Sequence, residues 1–383
     1  MKISLVNGMC VRHDAISETI RGTFMALAET PGIRPRLFTY ASEFPEIDTK
    51  IVFRPQDILF DKHFLSSDLI IYHFGIYHAL FNAILLGNGH APQVVRYHNV
   101  TPKAFLPQQQ HSLIDKSMRQ VANMVAATRI WADSSFNKQH LVEYGLPAAK
   151  IDVSPLYVKD GYAAVDRAAK PRDYVRILYV GRFVRSKGVI DLIEAVAAMR
   201  AVINVRFSVE LVGNVSFSDP AYLATLRELI KRRGLEPIVL LTGQLDDEAL
   251  WQRYLQSHVF VMPSYHEGFC VPAVEALRAH CVPIAYASGN LVDLLDGVGD
   301  VIEPGSLSGL TERLTQHVAF FDNFNRTGDQ NALLPLSSGA VPLRRFDALV
   351  QSRISEYSYS AFCDRLMAAV RHLAEPILSE SPL

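Results

Sequence analysis

The sequence predicts an α/β protein made of two doubly wound domains, each built on a parallel sheet. Short β-branched runs that end in Gly, Asn, Ser or Ala alternate with longer helical patterns. A polar stretch at residues 157–174 interrupts this alternation, which then starts again. The length of 383 residues allows two or three domains, each large enough to bury its own core.

The first half of the chain contains six strand candidates: Lys2–Asn7, Pro35–Tyr40, Asp68–Phe74, Gln93–Asn99, Arg129–Ser134 and Ile151–Leu156. Helical patterns fit between them at residues 15–29, 76–86, 104–126 and 136–144. Residues 69–87 carry no formal charge over nearly the length of a membrane span. Gly75 divides this segment into a strand-like and a helix-like part. We therefore expect a buried strand followed by a packed helix.

The second half shows the alternation more clearly, with strands predicted at 176–181, 208–213, 238–243, 259–264, 282–287 and 300–302 and helices at 187–200, 220–233, 247–256 and 272–280. The first five strands each end in Gly, Ser or Ala before a loop, so the loops at the carboxyl edge should form a ligand crevice. Residues 319–352 break the rhythm with Gly, Pro, Asn and Ser, and they are predicted to be a loop or flexible insertion. The tail regains a helical period from Tyr357 to Leu373. The predicted domains are 1–165, 166–355 and a helix at 356–383 that packs back, with the N-terminal domain as its candidate partner.

The overall charge excludes several classes of protein. The chain has 38 basic and 39 acidic side chains, which argues against a disordered chain and a general nucleic-acid binder. Its four cysteines are scattered and show neither a zinc-ribbon nor a disulfide pattern, so a reducing cytoplasm fits best. The apolar run at the N-terminus is shorter than the core of a signal peptide, and we expect no export.

The stretch PSYHEGFCVPAVEALRAHCVP at 263–283 is the richest in candidate chemistry. Pro272 suits the first turn of a helix, whose amides around Phe269–Ala273 would offer an anion site. Glu267 lies before this helix and Glu275 about one turn inside it. The layout suits a nucleoside diphosphate sugar, with one carboxylate for sugar hydroxyls and one for ribose hydroxyls. An isolated pair of glutamates at this spacing would instead be ordinary surface helix chemistry.

A second stretch, YVGRFVRSKGVIDLIEAV at 179–196, places Arg182 and Lys187 around a loop that opens a helix near Gly188. A guanidinium grips two phosphate oxygens and an ammonium adds a point charge, as a departing diphosphate requires. The alternative is a solvated basic loop, because Arg185 lies there too.

These stretches and residues 242–264 resemble the family 4 retaining glycosyltransferases, also called glycosyltransferase group 1. The resemblance covers most of residues 176–310 and includes Gly-Arg-x4-Lys-Gly, Pro-Ser-x-x-Glu-Gly-Phe and the glutamate pair in the family's order. It implies the GT-B fold, in which two Rossmann-like domains face a central cleft. It also implies that Arg182 and Lys187 bind the diphosphate, Glu267 the donor sugar and Glu275 the ribose. The remaining implied donor contacts are Gly8, Gly243, Leu245, Gly268, Phe269, Cys270 and Val271.

The N-terminal half resembles a bacterial polysaccharide branch of this family in RHDAIS (12–17) and RYHNVTP (96–102). The resemblance places His98 beside the transferred sugar, as a catalytic residue with Arg182, Lys187 and Glu267. It implies His13, Asp14 and Asn99 as acceptor contacts. Two alternatives stay open, since His98 could be a hydrogen-bonded structural residue and Asp14 a helix N-cap. The sequence departs from the family at Ala132–Ser135, which replaces a frequent Asn-Ser pair, and at Cys270, which replaces a frequent glycine.

Several other chemistries are not favoured. A zinc site from His266, Cys270, His280 and Cys281 lacks the second histidine of H-E-x-x-H. No G-x-G-x-x-G follows the first strand of either domain, which argues against a nicotinamide or flavin enzyme. No Asp-x-Asp occurs, so a metal-bridged diphosphate is not supported. We expect neither a cofactor nor a metal.

The resemblance therefore implies a metal-independent retaining hexosyltransferase that acts on a glycan or lipid-linked glycan in bacterial polysaccharide or lipopolysaccharide assembly. GDP-mannose is the favoured donor and UDP-glucose the second. The expected location is the cytoplasm, with peripheral association at the inner face of the membrane as a further expectation. The alternatives are an epimerase or phosphorylase of the same fold and a non-catalytic partner subunit that binds nucleotide or glycan.

Overall fold

The computed structural model describes residues 1–12, 14–159, 167–215 and 218–379. The chain forms two units, of which unit 1 comprises Met1–Tyr157 with Tyr357–Leu383 and unit 2 comprises Val158–Glu356. The first predicted boundary, between residues 165 and 166, lies outside the described residues. The second was placed between residues 355 and 356, and the chain changes units one residue later.

Unit 1 is built on a seven-stranded parallel sheet with the strand order β5-β3-β1-β6-β7-β8-β9. Its strands are β1 (Lys2–Val6), β3 (Arg34–Thr39), β5 (Thr49–Ile51), β6 (Leu69–Phe74), β7 (Gln93–Tyr97), β8 (Arg129–Ala132) and β9 (Ile151–Val153), and a separate short pair joins β2 (Met9–Cys10) to β4 (Ala41–Ser42). The six predicted strands are all present. The sequence missed β5, an edge strand of three residues, and the pair of two-residue strands.

The helices of unit 1 are α1 (Ala15–Ala28), α2 (Pro55–Leu59), α3 (Lys62–Leu65), α4 (His111–Val121), α5 (Ser135–Glu143) and α13 (Tyr359–Ser379). The helix predicted at 76–86 is instead a 3₁₀ helix over Ala79–Leu85, preceded by the fully buried strand β6. Among the described residues, no helix has the length and apolar character needed to cross a bilayer. The helix α13 belongs to unit 1, where Phe362, Leu366 and Val370 are buried with Phe24, Trp131 and other core residues.

Unit 2 is built on a six-stranded parallel sheet with the strand order β12-β11-β10-β13-β14-β15. The strands are β10 (Val175–Val180), β11 (Phe207–Val212), β12 (Val239–Thr242), β13 (Val259–Met262), β14 (Val282–Tyr286) and β15 (Asp300–Ile302). The helices are α6 (Val189–Val202), α7 (Pro220–Arg232), α8 (Asp247–Gln256), α9 (Val271–Arg278), α10 (Leu291–Leu295), α11 (Leu307–Thr327) and α12 (Leu343–Ser355). Two parallel sheets with helical crossovers confirm the predicted fold class.

The prediction of a loop or flexible insertion at 319–352 is wrong. Helix α11 continues to Thr327, and an antiparallel hairpin of β16 (Leu333–Leu336) and β17 (Gly339–Pro342) leads into α12. The cause is tertiary burial, which outweighs the turn-rich composition. The apolar side chains that this burial covers are Phe321, Phe324, Leu334, Leu336, Leu343, Phe346 and Val350.

A buried ion pair fixes helix α12 within unit 2. The Arg167 side chain is 1% exposed and donates to both carboxylate oxygens of Asp347, with a shortest distance of 2.8 Å. His280 Nδ1 lies 3.0 Å from Asp347 Oδ1. Burial raises the pKa of Asp347, but these partners outweigh burial and lower it to about 2. The pair therefore ties the start of unit 2 to one of its last helices.

Candidate functional site

The strand order of each sheet reverses at one place, where a crevice forms outside the carboxyl ends of the strands. In unit 2 this place lies between β10 and β13, because the chain builds β11 and β12 on one side and then β14 and β15 on the other. In unit 1 it lies between β1 and β6. Gly8 follows β1, Arg182 and Lys187 follow β10, and Glu267 follows β13. The topology therefore places these predicted residues where open α/β sheets bind ligands.

The loop after β10 positions the two predicted cations. Arg182 follows Gly181 and is exposed, and the described residues give its guanidinium no hydrogen-bond or ion-pair partner. Tyr179 donates from its hydroxyl to the Arg182 carbonyl oxygen over 2.9 Å, which fixes the backbone there. Lys187 ends a 3₁₀ turn over Arg185–Lys187, and Gly188 then begins α6 at φ +62°. A Cβ at Gly188 would lie 1.9 Å from the Pro263 carbonyl oxygen, so this contact requires glycine.

The loop after β13 brings Glu267 against Lys187. Lys187 Nζ donates to Glu267 Oε1 over 2.6 Å, and the two side chains are 17% and 9% exposed. The loop is held in place because the Ser264 hydroxyl and the Tyr265 amide both donate to the Ser186 carbonyl oxygen, over 3.1 and 2.8 Å. The structure therefore joins the two predicted stretches, which are 80 residues apart, into one site.

A third loop, which follows β14, contacts the backbone of the Glu267 loop, and sequence reasoning missed it. The Asn290 amide donates to the Glu267 carbonyl oxygen over 3.0 Å, and Asn290 Nδ2 donates to the Phe269 carbonyl oxygen over 3.0 Å. Gly289, at φ +57°, approaches so closely that a Cβ would lie 1.9 Å from the Glu267 carbonyl oxygen. The backbone of the Glu267 loop is thus fixed by residues that follow β14.

Helix α9 starts at Val271, with Pro272 in its first turn, as the sequence predicts. Its N-cap Cys270 has φ +77° and ψ +69°, a left-handed conformation that favours glycine. Burial raises the pKa of the Cys270 thiol, and the Glu267 charge raises it further. Phe269 is buried, and Gly268 and Val271 are partly exposed. The first-turn amides of α9 therefore begin directly after the Glu267 loop.

Glu275 lies one turn into α9 and is partly exposed. Its Oε2 accepts a hydrogen bond of 2.8 Å from the hydroxyl of Tyr254, a residue of α8 that sequence reasoning missed. Burial raises the pKa of Glu275, and the Tyr254 hydrogen bond opposes this rise.

Three glycines end neighbouring strands at the same edge of the unit 2 sheet. Gly181, Gly213 and Gly243 follow β10, β11 and β12, which pair Val180 with Val212 and Val212 with Thr242. A Cβ at Gly213 would lie 2.2 Å from the Gly181 carbonyl oxygen. Leu245 is partly exposed two residues after Gly243. The predicted base loop therefore stands on the β12 side of the cation loop, and Gly213 allows the strand ends to approach one another.

In unit 1, His98 belongs to a buried chain of hydrogen bonds. Its Nδ1 lies 2.7 Å from Asp133 Oδ2, and its Nε2 lies 3.0 Å from His73 Nδ1. Arg96 donates to the other oxygen of Asp133 over 3.1 Å. Because a carboxylate oxygen accepts, His98 Nδ1 is the donor in the hydrogen bond to Asp133. Both ring nitrogens have partners and the His98 side chain is 2% exposed, which is the geometry of the structural alternative. A catalytic role of His98 stays a prediction.

The structure describes three of the four other residues predicted in unit 1. Asp14 caps α1 by accepting from the Ser17 amide and hydroxyl, over 2.9 and 2.7 Å, so the N-cap alternative is confirmed. Gly8 is buried, and its carbonyl oxygen accepts from Thr39. Asn99 has φ +78° and donates to Asn137 Oδ1 over 2.6 Å. His13 lies outside the described residues. A role of these residues in binding stays a prediction.

No group of three or more histidine, cysteine or acidic side chains within the described ranges is arranged to hold a metal ion. Of the four residues considered for zinc, His280 is bonded to Asp347 and Cys270 caps α9.

Comparison with known sequences finds a match between residues 164–318 and the family model of the glycosyl transferases group 1. A D-inositol 3-phosphate glycosyltransferase of Kribbella flavida is 29% identical over 192 residues, which are 47% of this chain and 45% of the relative. The O-antigen chain mannosyltransferase B of Escherichia coli is 23% identical over 242 residues, covering 58% of this chain and 60% of the relative. The chain thus spans less than two thirds of the length of either relative.

Solved structures match nearly the whole chain. A sucrose-phosphate synthase from Thermosynechococcus elongatus superposes with a TM-score of 0.72 at 20% identity, over 97% of this chain and 98% of that one. HepE of Anabaena in complex with UDP gives a TM-score of 0.72 at 16% identity, over 97% and 100%. At these identities the likeness shows the fold, which is that of the GT-B glycosyltransferases.

Proposed function

We propose that this chain, a group 1 glycosyltransferase of the GT-B fold, transfers a hexose from a nucleoside diphosphate sugar to a hydroxyl of a glycan or lipid-linked glycan, with retention of anomeric configuration. The observation that supports this activity most strongly is the Lys187–Glu267 pair at the crevice of unit 2. Arg182 lies in the same loop as Lys187, and its guanidinium has no partner among the described residues. Cations, helix amides and a carboxylate around one position are the groups that a sugar diphosphate needs.

The chemistry follows from the charge that develops when the glycosidic bond to phosphate breaks. The leaving diphosphate gains negative charge, which Arg182, Lys187 and the first-turn amides of α9 would stabilise. The anomeric carbon gains positive charge, and the Glu267 carboxylate would orient the sugar and favour that charge electrostatically. These cations supply the positive charge that a divalent ion supplies in other transferases. The proton of the acceptor hydroxyl would pass to the leaving phosphate, so Glu267 acts as a positioning group for the sugar.

Mannose is the favoured sugar, with GDP-mannose as the donor and UDP-glucose second. The similarity to the Escherichia coli O-antigen chain mannosyltransferase supports mannose and an acceptor in bacterial polysaccharide assembly. We place the reaction in the cytoplasm, with peripheral attachment at the inner face of the membrane. Exposed apolar side chains of unit 1 support such attachment, among them Phe53, Phe60, Leu85 and Leu86, which are 56–80% exposed.

Thermal unfolding with UDP, GDP and ADP, followed by their sugar forms, tests the donor. A ligand at about 100 times its Kd stabilises the folded protein by about 2.7 kcal/mol, so the preferred base should give the largest shift. Equal shifts for all three nucleotides would contradict a defined donor.

Transfer from the selected donor to a glycan acceptor then tests the activity. We expect Lys187→Ala and Glu267→Ala each to lower kcat by about 10²–10³-fold, the scale of one lost electrostatic stabiliser. Lys231→Ala, at an exposed lysine of α7, is the matched control and should be unchanged. Unchanged transfer in both site variants would overturn the mechanism. Tight nucleotide binding without turnover of any sugar form would favour a non-catalytic partner subunit.

A further inference from the structure

The hydrogen bond between Tyr254 and Glu275 makes the two oxygens of the Glu275 carboxylate different, because it engages only one of them. Tyr254 is 1% exposed and donates to Glu275 Oε2 over 2.8 Å. Oε1 makes no hydrogen bond with a described residue, and the Glu275 residue is partly exposed. Tyr254 therefore holds Oε2, and Oε1 is the oxygen that a ligand could contact.

The position of Tyr254 is itself fixed by the end of α8. Lys170 Nζ donates to the carbonyl oxygens of Tyr254 and Leu255 over 3.3 and 3.2 Å, and it also donates to that of Ser257. Cys281 Sγ donates to the Tyr254 and Ser257 carbonyl oxygens over 3.2 Å each. A lysine at a helix C-terminus satisfies carbonyls that lack an intrahelical partner and complements the helix dipole.

Rings on both sides restrict the tyrosine side chain as well. The Tyr254 ring packs at a tilt against Trp251 and Phe260, with centroids 6.2 and 6.1 Å away. The position of the Tyr254 hydroxyl is therefore fixed, and the Glu275 side chain adopts the conformation that reaches it.

The electrostatics of this pair keep the Tyr254 hydroxyl protonated. Burial raises the pKa of Tyr254 well above its usual range, and the Glu275 charge raises it further, so the hydroxyl remains a donor. Burial raises the pKa of Glu275, with Asp247 acting in the same direction, whereas Tyr254, Arg278 and Lys159 lower it. The hydrogen bond from Tyr254 thus favours the ionised form of Glu275, against the effect of burial.

We propose that Tyr254 is a positioning residue for donor binding, which holds Glu275 Oε2 so that Oε1 points toward the ribose hydroxyls of the nucleotide. This inference rests on the proposed function, and on the assignment of Glu275 to the ribose that the family resemblance implies. It adds a residue of a different helix that acts only through Glu275.

The experiment compares Tyr254→Phe with the unaltered protein for two ligands, by titration calorimetry. The ligands are the nucleoside diphosphate that binds best and its 2′,3′-dideoxy counterpart. We expect Tyr254→Phe to weaken the ribonucleotide about tenfold, as for a lost hydrogen bond to a charged group. Binding of the dideoxynucleotide should not change, because it has no hydroxyl for Oε1 to meet.

A matched control is Tyr97→Phe, which removes another buried tyrosine hydroxyl, bonded to His140 over 3.0 Å in unit 1. It should leave both affinities unchanged. Tyr254→Met lacks the hydroxyl and keeps an apolar side chain, so it gives the same test if Tyr254→Phe does not fold.

An equal loss for both ligands would show that Tyr254 only supports the fold, and no loss for either would show that it does not position Glu275. Either result overturns the inference. If the unaltered protein binds no nucleoside diphosphate at all, the proposed function fails instead, and the two failures are thereby distinguished.

Discussion

Lys187 Nζ lies 2.6 Å from Glu267 Oε1, so two of the charged residues assigned to the donor are hydrogen-bonded to each other. Each side chain holds the other in position, whereas Arg182, in the loop that also carries Lys187, has no described side-chain partner. Contributions of contacting residues to binding are not additive, whereas those of independent residues are. The site therefore consists of one coupled pair and one separate cation.

A double-mutant cycle tests this coupling. We expect Lys187→Met and Glu267→Gln together to weaken donor binding less than the sum of the single changes, with an interaction energy of about 1–3 kcal/mol. The cycle of Arg182→Met with Glu267→Gln is the control and should be closer to additive. Calorimetric Kd values for the nucleoside diphosphate sugar give both cycles. If the effects of Lys187→Met and Glu267→Gln on donor binding are additive, the two residues do not act as a coupled pair.

Gly289→Ala should lower stability and donor affinity by more than the strain of a positive φ at alanine accounts for. Both Gly289 and Gly234 have positive φ, but a Cβ at Gly234 would meet no atom within 4 Å, whereas one at Gly289 would collide with the Glu267 carbonyl. We expect Gly234→Ala to lower the free energy of unfolding by about 1 kcal/mol and to leave donor affinity unchanged. Gly289→Ala should cost more stability and weaken the donor at least tenfold. Equal effects of the two variants in urea unfolding and in titration would refute this.

Cys270 offers a test of local strain. Because its φ is +77°, replacing it with glycine removes the steric cost of a Cβ in a left-handed conformation. The comparison is with Cys270→Ala, which also removes the sulfur but keeps the Cβ. We expect Cys270→Gly to be about 1 kcal/mol more stable than Cys270→Ala in urea unfolding. The prediction does not survive if the alanine variant is equally stable or more stable.

The Arg167–Asp347 pair should make unit 2 sensitive to acid. The pKa of Asp347 in the folded state is about 2, below its ordinary value of 3.8. A lowered carboxyl pKa stabilises the fold above the unfolded pKa, and this contribution is lost as pH falls from about 4 toward 2. We expect Asp347→Asn to lower the free energy of unfolding by about 2 kcal/mol at pH 6, with a difference that shrinks on acidification.

Urea unfolding between pH 6 and pH 2.5 measures that difference. Asp329→Asn, at an exposed aspartate that forms no salt bridge with a described residue, is the control and should match the unaltered protein throughout. A difference for Asp347→Asn that stays constant with pH would exclude the ionised pair as its source.

The fold was predictable because its signals are local. Buried parallel strands give short apolar runs, and the residues that end them mark the edge where ligands bind. Thus Lys187 and Glu267 could be found from the sequence, since each follows a strand in a recognisable motif. The order of the loops in space then follows from topology.

The supporting residues could not be found in this way. Tyr254 reaches Glu275 across 21 positions, and Gly289 approaches Glu267 across 22, through packing between elements that no local pattern describes. The wrong prediction at 319–352 has the same origin. Gly, Asn and Ser near Leu334 and Leu343 are typical of loops, whereas the tertiary structure buries these two leucines. His98 shows a further limit, since the sequence indicates a histidine after a strand but not the Asp133 and His73 contacts that occupy its ring.

The assignment of α13 to unit 1 has a consequence for biosynthesis. The core of unit 1 includes Phe362, Leu366 and Val370, whereas unit 2 is a single continuous stretch of chain. Translation proceeds at roughly 5–20 residues per second. All of unit 2 is synthesised before α13, so unit 1 lacks its last helix for tens of seconds. Until then the surface around Phe24 and Trp131 that α13 later covers stays open to water and to chaperones. The unit that is made second is thus the first that can finish folding.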